Sequence, residues 1–343
     1  MIMQYQHNLA KSSELKIEGI SKMSVLQTPT LAQEQAPQVL NQTDSKLTVS
    51  LDANTREIVE TRANGNHQVN QLVAHDKIET TKTSGGGYIR LPVRHNNRLA
   101  MILEQVNQDV ELHTLWKCAN INAVDRLGMS DHGRVHVQIV ANIALKLLRL
   151  LVESGIEPSI VTNYGLSQDD AEIVVVLAAL MHDIGICVHR DEHEHHSLWL
   201  AERKVRELLN GLYDIEGRTI MMSEILHAII AHARNQRCFT YEAGVVKVAD
   251  ALDMAKGRSR IPFEQGHVNI HSLSAAAIES VELKSGQTRP IAIQVSMNNS
   301  AGLFQIDELL KQKINGSTLK GLIELTAVIE TEAEKKLIEV FKL

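Results

Sequence analysis

Residues 173–181, IVVVLAALM, are apolar on every side of a helix, and His182 and Asp183 follow them directly. A helix with no polar face has to lie in the middle of a domain, covered all round by other elements. An imidazole and a carboxylate at its end are carried into the interior, where each needs a partner. Ser167-Gln-Asp-Asp170 reads as a capping box, so the helix is predicted from Asp169 to about His182.

Composition sets the surroundings. At 343 residues and 44% hydrophobic, the chain is long enough for one good-sized core with appendages. Aromatic residues make up 3%, so Leu, Ile, Val and Ala build the core, which suits packed helices. A net charge of −6 argues against a chain that coats nucleic acid or a polybasic membrane protein. Cys118, Cys187 and Cys238 form neither a C-x-x-C pair nor an even disulfide set. The longest clean apolar run is far short of the roughly 20 residues of a membrane helix, and the N-terminus has no secretory pattern. A cytoplasmic protein with no membrane partner is expected.

Three regions follow from the pattern. Residues 1–95 are polar and read as a flexible, disordered extension, with Leu47–Leu51 and Arg56–Val59 able to pair as short strands. Ser84–Tyr88 (SGGGY) reads as a hinge, not a phosphate loop, and order is expected from near Asn96.

Residues 96–265 read as a helical bundle. Its helices are Arg98–Cys118 with one interruption, one capped by Ser130 or Asp131 and stopped at Gly155, and the apolar one above. Further helices open at Asp191 and at Ser223, and Tyr241–Lys256 closes the set. Residues 266–343 read as a small α+β domain: a hairpin of Ile278–Leu283 and Ile291–Val295, helix Phe304–Ile314, strand Leu322–Glu330 and helix Glu332–Phe341. The fold class is therefore mainly α, and the C-terminal domain fits a role in dimerisation or ligand sensing.

Imidazole and carboxylate at this density ask for a divalent cation. His132 and His136 share one helix face, His182 and Asp183 end a buried helix, and Asp250 lies at the inner end of the last helix. Asp183 has two oxygens and is able to bridge to a second ion held by other histidines.

The motifs His136-Val-Gln-Ile-Val-Ala, His182-Asp183-Ile-Gly and Ala249-Asp250-Ala-Leu resemble, in order, the signatures of the HD superfamily of metal-dependent phosphohydrolases. With His196-Ser-Leu-Trp-Leu-Ala and Ala228-Ile-Ile-Ala-His232, the set is most similar to the HD domain of ribonuclease Y, and more distantly to the HD-GYP phosphodiesterases. The resemblance implies His136, His182, Asp183 and Asp250 as ligands of a first metal, and His196 and His232 as helpers of a second. It leaves open whether one or two ions bind, and whether they are Mn, Fe, Mg, Co or Zn.

Ile186 stands where many relatives carry a lysine, so Arg190, Arg258 and Arg260 are the expected phosphate-binding cations. His232-Ala233 replaces a His-His pair, and the GYP triplet is absent.

The expected reaction is hydrolysis of a phosphoester in a nucleotide or oligonucleotide, with water activated by the metal. Asp183, Arg190 and Arg258 are its catalytic candidates; His132, His189 and His193 are candidates for protonating the leaving oxygen. Each has a plainer alternative. His189, His193 and His195 fit a solvated acidic loop, His227 a packing residue, and Asp253 a residue that orients a ligand. A non-catalytic nucleotide sensor and an RNA nuclease are the competing functions; a phosphorylated small molecule or nucleotide is the favoured partner over RNA, and a homo-oligomer is compatible.

Overall fold

A computed structural model describes residues 47–51, 58–62, 87–254 and 270–329. Two short strands come first, β1 (Leu47–Leu51) and β2 (Ile58–Arg62), paired antiparallel. The rest of the expected extension up to residue 86 lies outside the described residues. Packed structure begins before Asn96: Ile89 is buried, and the Asn107 amide pairs with its N–H and its carbonyl at 2.7 and 3.0 Å.

The expected interrupted helix is two, α1 (Asn97–Gln108) and α2 (Val110–Asn120). Asp109 makes the break because its carboxylate accepts from the Leu112 N–H at 2.9 Å and starts a new helix. α2 runs into a π-helical turn, Ile121–Arg126. Next, α3 (Arg134–Glu153) begins later than expected, after Gly133. Asp131 still serves its start, accepting from the N–H groups of Gly133 and His136 at 3.2 and 3.1 Å. By length and composition α3 is able to cross a membrane, but 67% of that stretch is buried inside the molecule, as in a core helix.

After the short α4 (Ser159–Tyr164) comes α5 (Gln168–Met181), the apolar helix. Its capping box is formed: the Ser167 N–H donates to Asp170 at 2.9 Å, and the Asp170 N–H to the Ser167 hydroxyl at 3.3 Å. Every residue from Asp170 to Met181 is buried. A 3₁₀ turn, Ile184–Cys187, leads to α6 (His193–Leu208), which is entered through Glu192 at a left-handed φ of 56°, with no cap from Asp191.

α7 (Ile215–Ala231) starts at Asp214, which accepts from the Gly217 N–H at 2.7 Å; Ser223, the expected cap, is an exposed mid-helix residue. α8 (Tyr241–Leu252) is capped by Thr240. α3 packs on α5 and α8, α5 on α7, and α7 on α6 and α8.

Then follow α9 (Ile270–Ala276), β3 (Ile278–Ser285), β4 (Ile291–Met297), a π-helical turn at Gln305–Leu310, α10 (Lys311–Asn315) and β5 (Ile323–Ile329). The sheet order is β2-β1-β3-β4-β5. β3 and β4 form the antiparallel hairpin, and β5 lies parallel to β4. Ile291, Ile293 and Val295 alternate inward and join the same hydrophobic core as the helices. In chain order the helical bundle thus lies between β1–β2 and the other three strands of the sheet. The closing helix expected at Glu332–Phe341 lies outside the described residues.

Candidate metal centre

Four helix ends meet in the core. His182 follows the last residue of α5, and its Nδ1 donates to the Ala179 carbonyl at 2.8 Å, satisfying an acceptor that the last helical turn leaves open. α7 repeats the device: Nδ1 of His232 donates to the Ile229 carbonyl at 2.5 Å. In the first turn of α3, His136 directs Nδ1 to Asp253 at 2.6 Å. Each ring is fixed through Nδ1, which turns Nε2 toward the shared interior. Asp250, in the last turn of α8, faces the same place.

Nε2 of His136 lies 3.2 Å from Nε2 of His182 and 3.2 Å from Oδ2 of Asp183. Asp250 Oδ1 stands 3.5 and 3.7 Å from the two imidazoles. The other Asp183 oxygen, Oδ1, lies 3.0 Å from Nε2 of His193 and 3.6 Å from Nε2 of His232, and His232 also groups with His182 and Asp183. Glu194 completes a grouping with His193 and His232. One buried carboxylate therefore joins two donor sets.

His193 has a partner for Nδ1 in either tautomer. When that atom accepts from the Arg190 guanidinium at 2.6 Å, Nε2–H points at Asp183; when it donates to the Arg190 carbonyl at 3.0 Å, Nε2 is left with a lone pair.

Electrostatics favour a cation here. The negative ends of α5, α7 and α8 converge on the cluster beside the positive ends of α3 and α6, so the buried carboxylates decide the sign. Burial opposes ionisation of Asp183, but the charge of His182 and hydrogen bonds from His136, His182 and His193 hold it well below the usual carboxylate range. Asp250 is likewise held low against burial, first by Lys313 and then by His136 and His182. Burial alone would depress His182, yet Asp183 and Asp250 push it up to about 9. Burial, with the positive charges of His182 and Lys313, keeps His232 below the ordinary histidine value. Without metal the cluster thus neutralises its carboxylates with a proton on His182 and the Lys313 ammonium, which ion-pairs with Asp250. A buried set that mixes imidazole with ionised carboxylate fits a divalent cation, which would take the place of the His182 proton.

The structure brings together His136, His182, Asp183, His232 and Asp250. It does not bring His196 to them. Gly185 explains why: a Cβ there would lie 2.1 Å from the His193 carbonyl oxygen and 2.4 Å from the Ser197 nitrogen, so α6 packs hard against the His-Asp turn. Ser197 locks the register by accepting from the Gly185 N–H at 2.9 Å and donating to the His182 carbonyl at 2.6 Å. His193, one turn before Ser197, is thereby set over Asp183. His196 turns aside to the edge of Trp199, with ring centroids 5.7 Å apart.

Among the expected catalytic and phosphate-binding residues, Arg190 reaches the cluster through His193, and His132 packs beside His136 with ring centroids 5.3 Å apart. Arg258 and Arg260 lie outside the described residues. Ile186 is buried against Ala119 and Ala123, so its position faces an apolar cluster. His189 and His195 are exposed, while His227 stacks on Phe239 and accepts from its N–H at 3.0 Å.

Sequence reasoning missed two lysines. Lys247, fully buried, donates to the carbonyls of Ala231, Ala233, Arg234 and Gln236 and so holds the turn that presents His232. Lys313 comes from α10, 63 residues beyond Asp250.

The HD-domain family matches residues 131–255, which contain the whole cluster. A Methanocaldococcus jannaschii protein, described as uncharacterized protein MJ1020, is 45% identical over 232 residues, which are 68% of this chain and 90% of that protein. The chain belongs to the HD-domain family. HD domains bind divalent metals and form a superfamily of metal-dependent phosphohydrolases, which agrees with the donor set. No solved structure matches the chain significantly.

Proposed function

We propose that this HD-domain protein hydrolyses a phosphodiester in a nucleotide or short oligonucleotide. One observation carries the reading: the two oxygens of Asp183 are divided between two anchored histidine groups. His136, His182, Asp183 and Asp250 would hold one cation, and Asp183 with His193 and His232 would hold a second. A divalent cation in such a place neutralises phosphate charge and acidifies water at neutral pH.

The protein's own residues do the rest. Asp183 fixes the spacing of the two groups, and Asp253 and the carbonyls of Ala179 and Ile229 keep the imidazoles from turning. His132 and Arg190 flank the cluster, the first as a proton carrier for the leaving oxygen and the second as a cation beside His193. The diester preference follows the motif resemblance to ribonuclease Y and the HD-GYP phosphodiesterases.

The test is product analysis by chromatography after incubating the manganese-loaded chain with mono-, di- and cyclic nucleotides and a short RNA. Release of a nucleoside monophosphate from a cyclic or dinucleotide is expected. Stoichiometric nucleotide binding without product would overturn the hydrolase reading in favour of a sensor.

A further inference from the structure

Among the described residues, the rim of the cluster carries a cation, Lys313, that bonds a single acceptor. Asp250 uses its two oxygens differently: Oδ1 faces His136 and His182, and Oδ2 receives the Lys313 ammonium. Lys313 therefore stands on the outer side of a candidate metal ligand, one carboxylate's width from the first group. Its side chain is 17% exposed, so it reaches both the cluster and solvent. An ammonium has three donors, and among the described residues Asp250 is the one acceptor Lys313 bonds.

Among the described residues, three other cations nearby, Lys247, Arg234 and Arg190, are committed elsewhere. Lys247 donates to four backbone carbonyls. Arg234 donates to the Gln312 side chain and the Glu308 carbonyl, and Arg190 is turned to His193. Position 186, beside the His-Asp pair, is apolar and packed away.

Placement of Lys313 is specified by the fold. Arg234 clamps the segment that carries it on one side. On the other, the Thr318 hydroxyl donates to the Thr240 carbonyl at 2.9 Å, and a Cβ at Gly244 would lie 2.1 Å from that hydroxyl oxygen. Glycine at 244 is what lets the segment after α10 lie directly on α8. The result is a cation supplied to the HD site by the chain that follows it.

We propose that Lys313 is a substrate-binding residue, whose ammonium takes a non-bridging oxygen of the scissile phosphate while still paired with Asp250. The inference rests on the phosphoester reading above. Asp250 keeps Oδ1 for the interior and Oδ2 for the lysine, so metal and substrate contacts are compatible on one carboxylate. A lysine that served only to pin the C-terminal segment would affect stability and leave anion affinity alone.

Calorimetric titration of inorganic phosphate into the manganese-loaded full chain tests this, with bound manganese counted in each sample. K313A and K313Q are expected to bind phosphate at least tenfold more weakly with the manganese count unchanged, and K313R to recover most of the affinity. Unchanged phosphate affinity in K313A or K313Q would overturn the proposal, as would loss of manganese from K313Q, which would make Lys313 a support for Asp250 alone. Turnover of bis(p-nitrophenyl) phosphate, followed in parallel, separates the two readings. A wild-type chain that binds phosphate through Lys313 without turnover contradicts the hydrolase and leaves the lysine assignment standing; active enzyme with wild-type phosphate affinity in K313A does the reverse.

Discussion

His182 is the residue at which proton and cation compete. Its ordinary value of 6.5 is raised to about 9 in the folded, metal-free chain. The proton it holds stabilises the fold fully below pH 6.5, and that contribution fades as pH rises through about 9. Chelator-treated protein should therefore melt at progressively lower temperature between these values, and metal-loaded protein should not. Metal has to displace this proton, so manganese affinity should rise about tenfold per pH unit up to about pH 9. A pH-independent affinity over pH 6.5–9 would contradict the assignment. A second prediction separates two neighbours on α6: His193→Ala should reduce the manganese count from two to one, whereas His196→Ala should leave it at two.

At the scale of elements, the joint between the His-Asp turn and α6 decides which histidine serves. Ser197 satisfies both the Gly185 N–H and the His182 carbonyl in the interior. Ser197→Ala leaves both groups unpaired and should cost about 2 kcal/mol or more, measured by urea unfolding. It should also lower second-ion occupancy, because His193 rides on the same turn.

This joint was not legible in the sequence. His193, His195 and His196 all lie near one helix start, and the choice among them depends on how closely Gly185 lets α6 approach. The apolar run of α5 and its capping box were legible because both are local patterns, and the motif resemblance named the four residues that the structure brings together around His182. The start of α7 was not, because Asp214 and Ser223 are both competent caps and packing against α5, α6 and α8 extends the helix to the earlier one.

At the scale of the molecule, the helical bundle and the sheet share one core among the described residues, and α10 brings Lys313 to Asp250. Lys313 illustrates the limit of motif reading: its neighbourhood carries no signal, and only the docking of Thr318 on Gly244 brings it to Asp250. The parallel pairing of β5 with β4 was equally hidden, since strand pattern does not report direction.

Because α3, α5, α6, α7, α8 and α10 converge on the cluster, metal should stabilise the folded unit as a whole. At a free manganese concentration a hundredfold above Kd, linkage gives about 2.7 kcal/mol, which corresponds to a rise of roughly 5–10 °C in Tm for a unit of this size. Melting of the chelated and reloaded protein by calorimetry checks it.

Steady-state hydrolysis of bis(p-nitrophenyl) phosphate by the manganese-loaded chain, beside Asp183→Ala, addresses the central claim most directly. Asp183 joins the two donor groups, so the account predicts turnover by the wild-type chain and a loss of at least about a thousandfold in the variant, with its helical circular dichroism retained. Equal rates in the two proteins, or no turnover by a wild-type chain carrying its full complement of manganese, would contradict it.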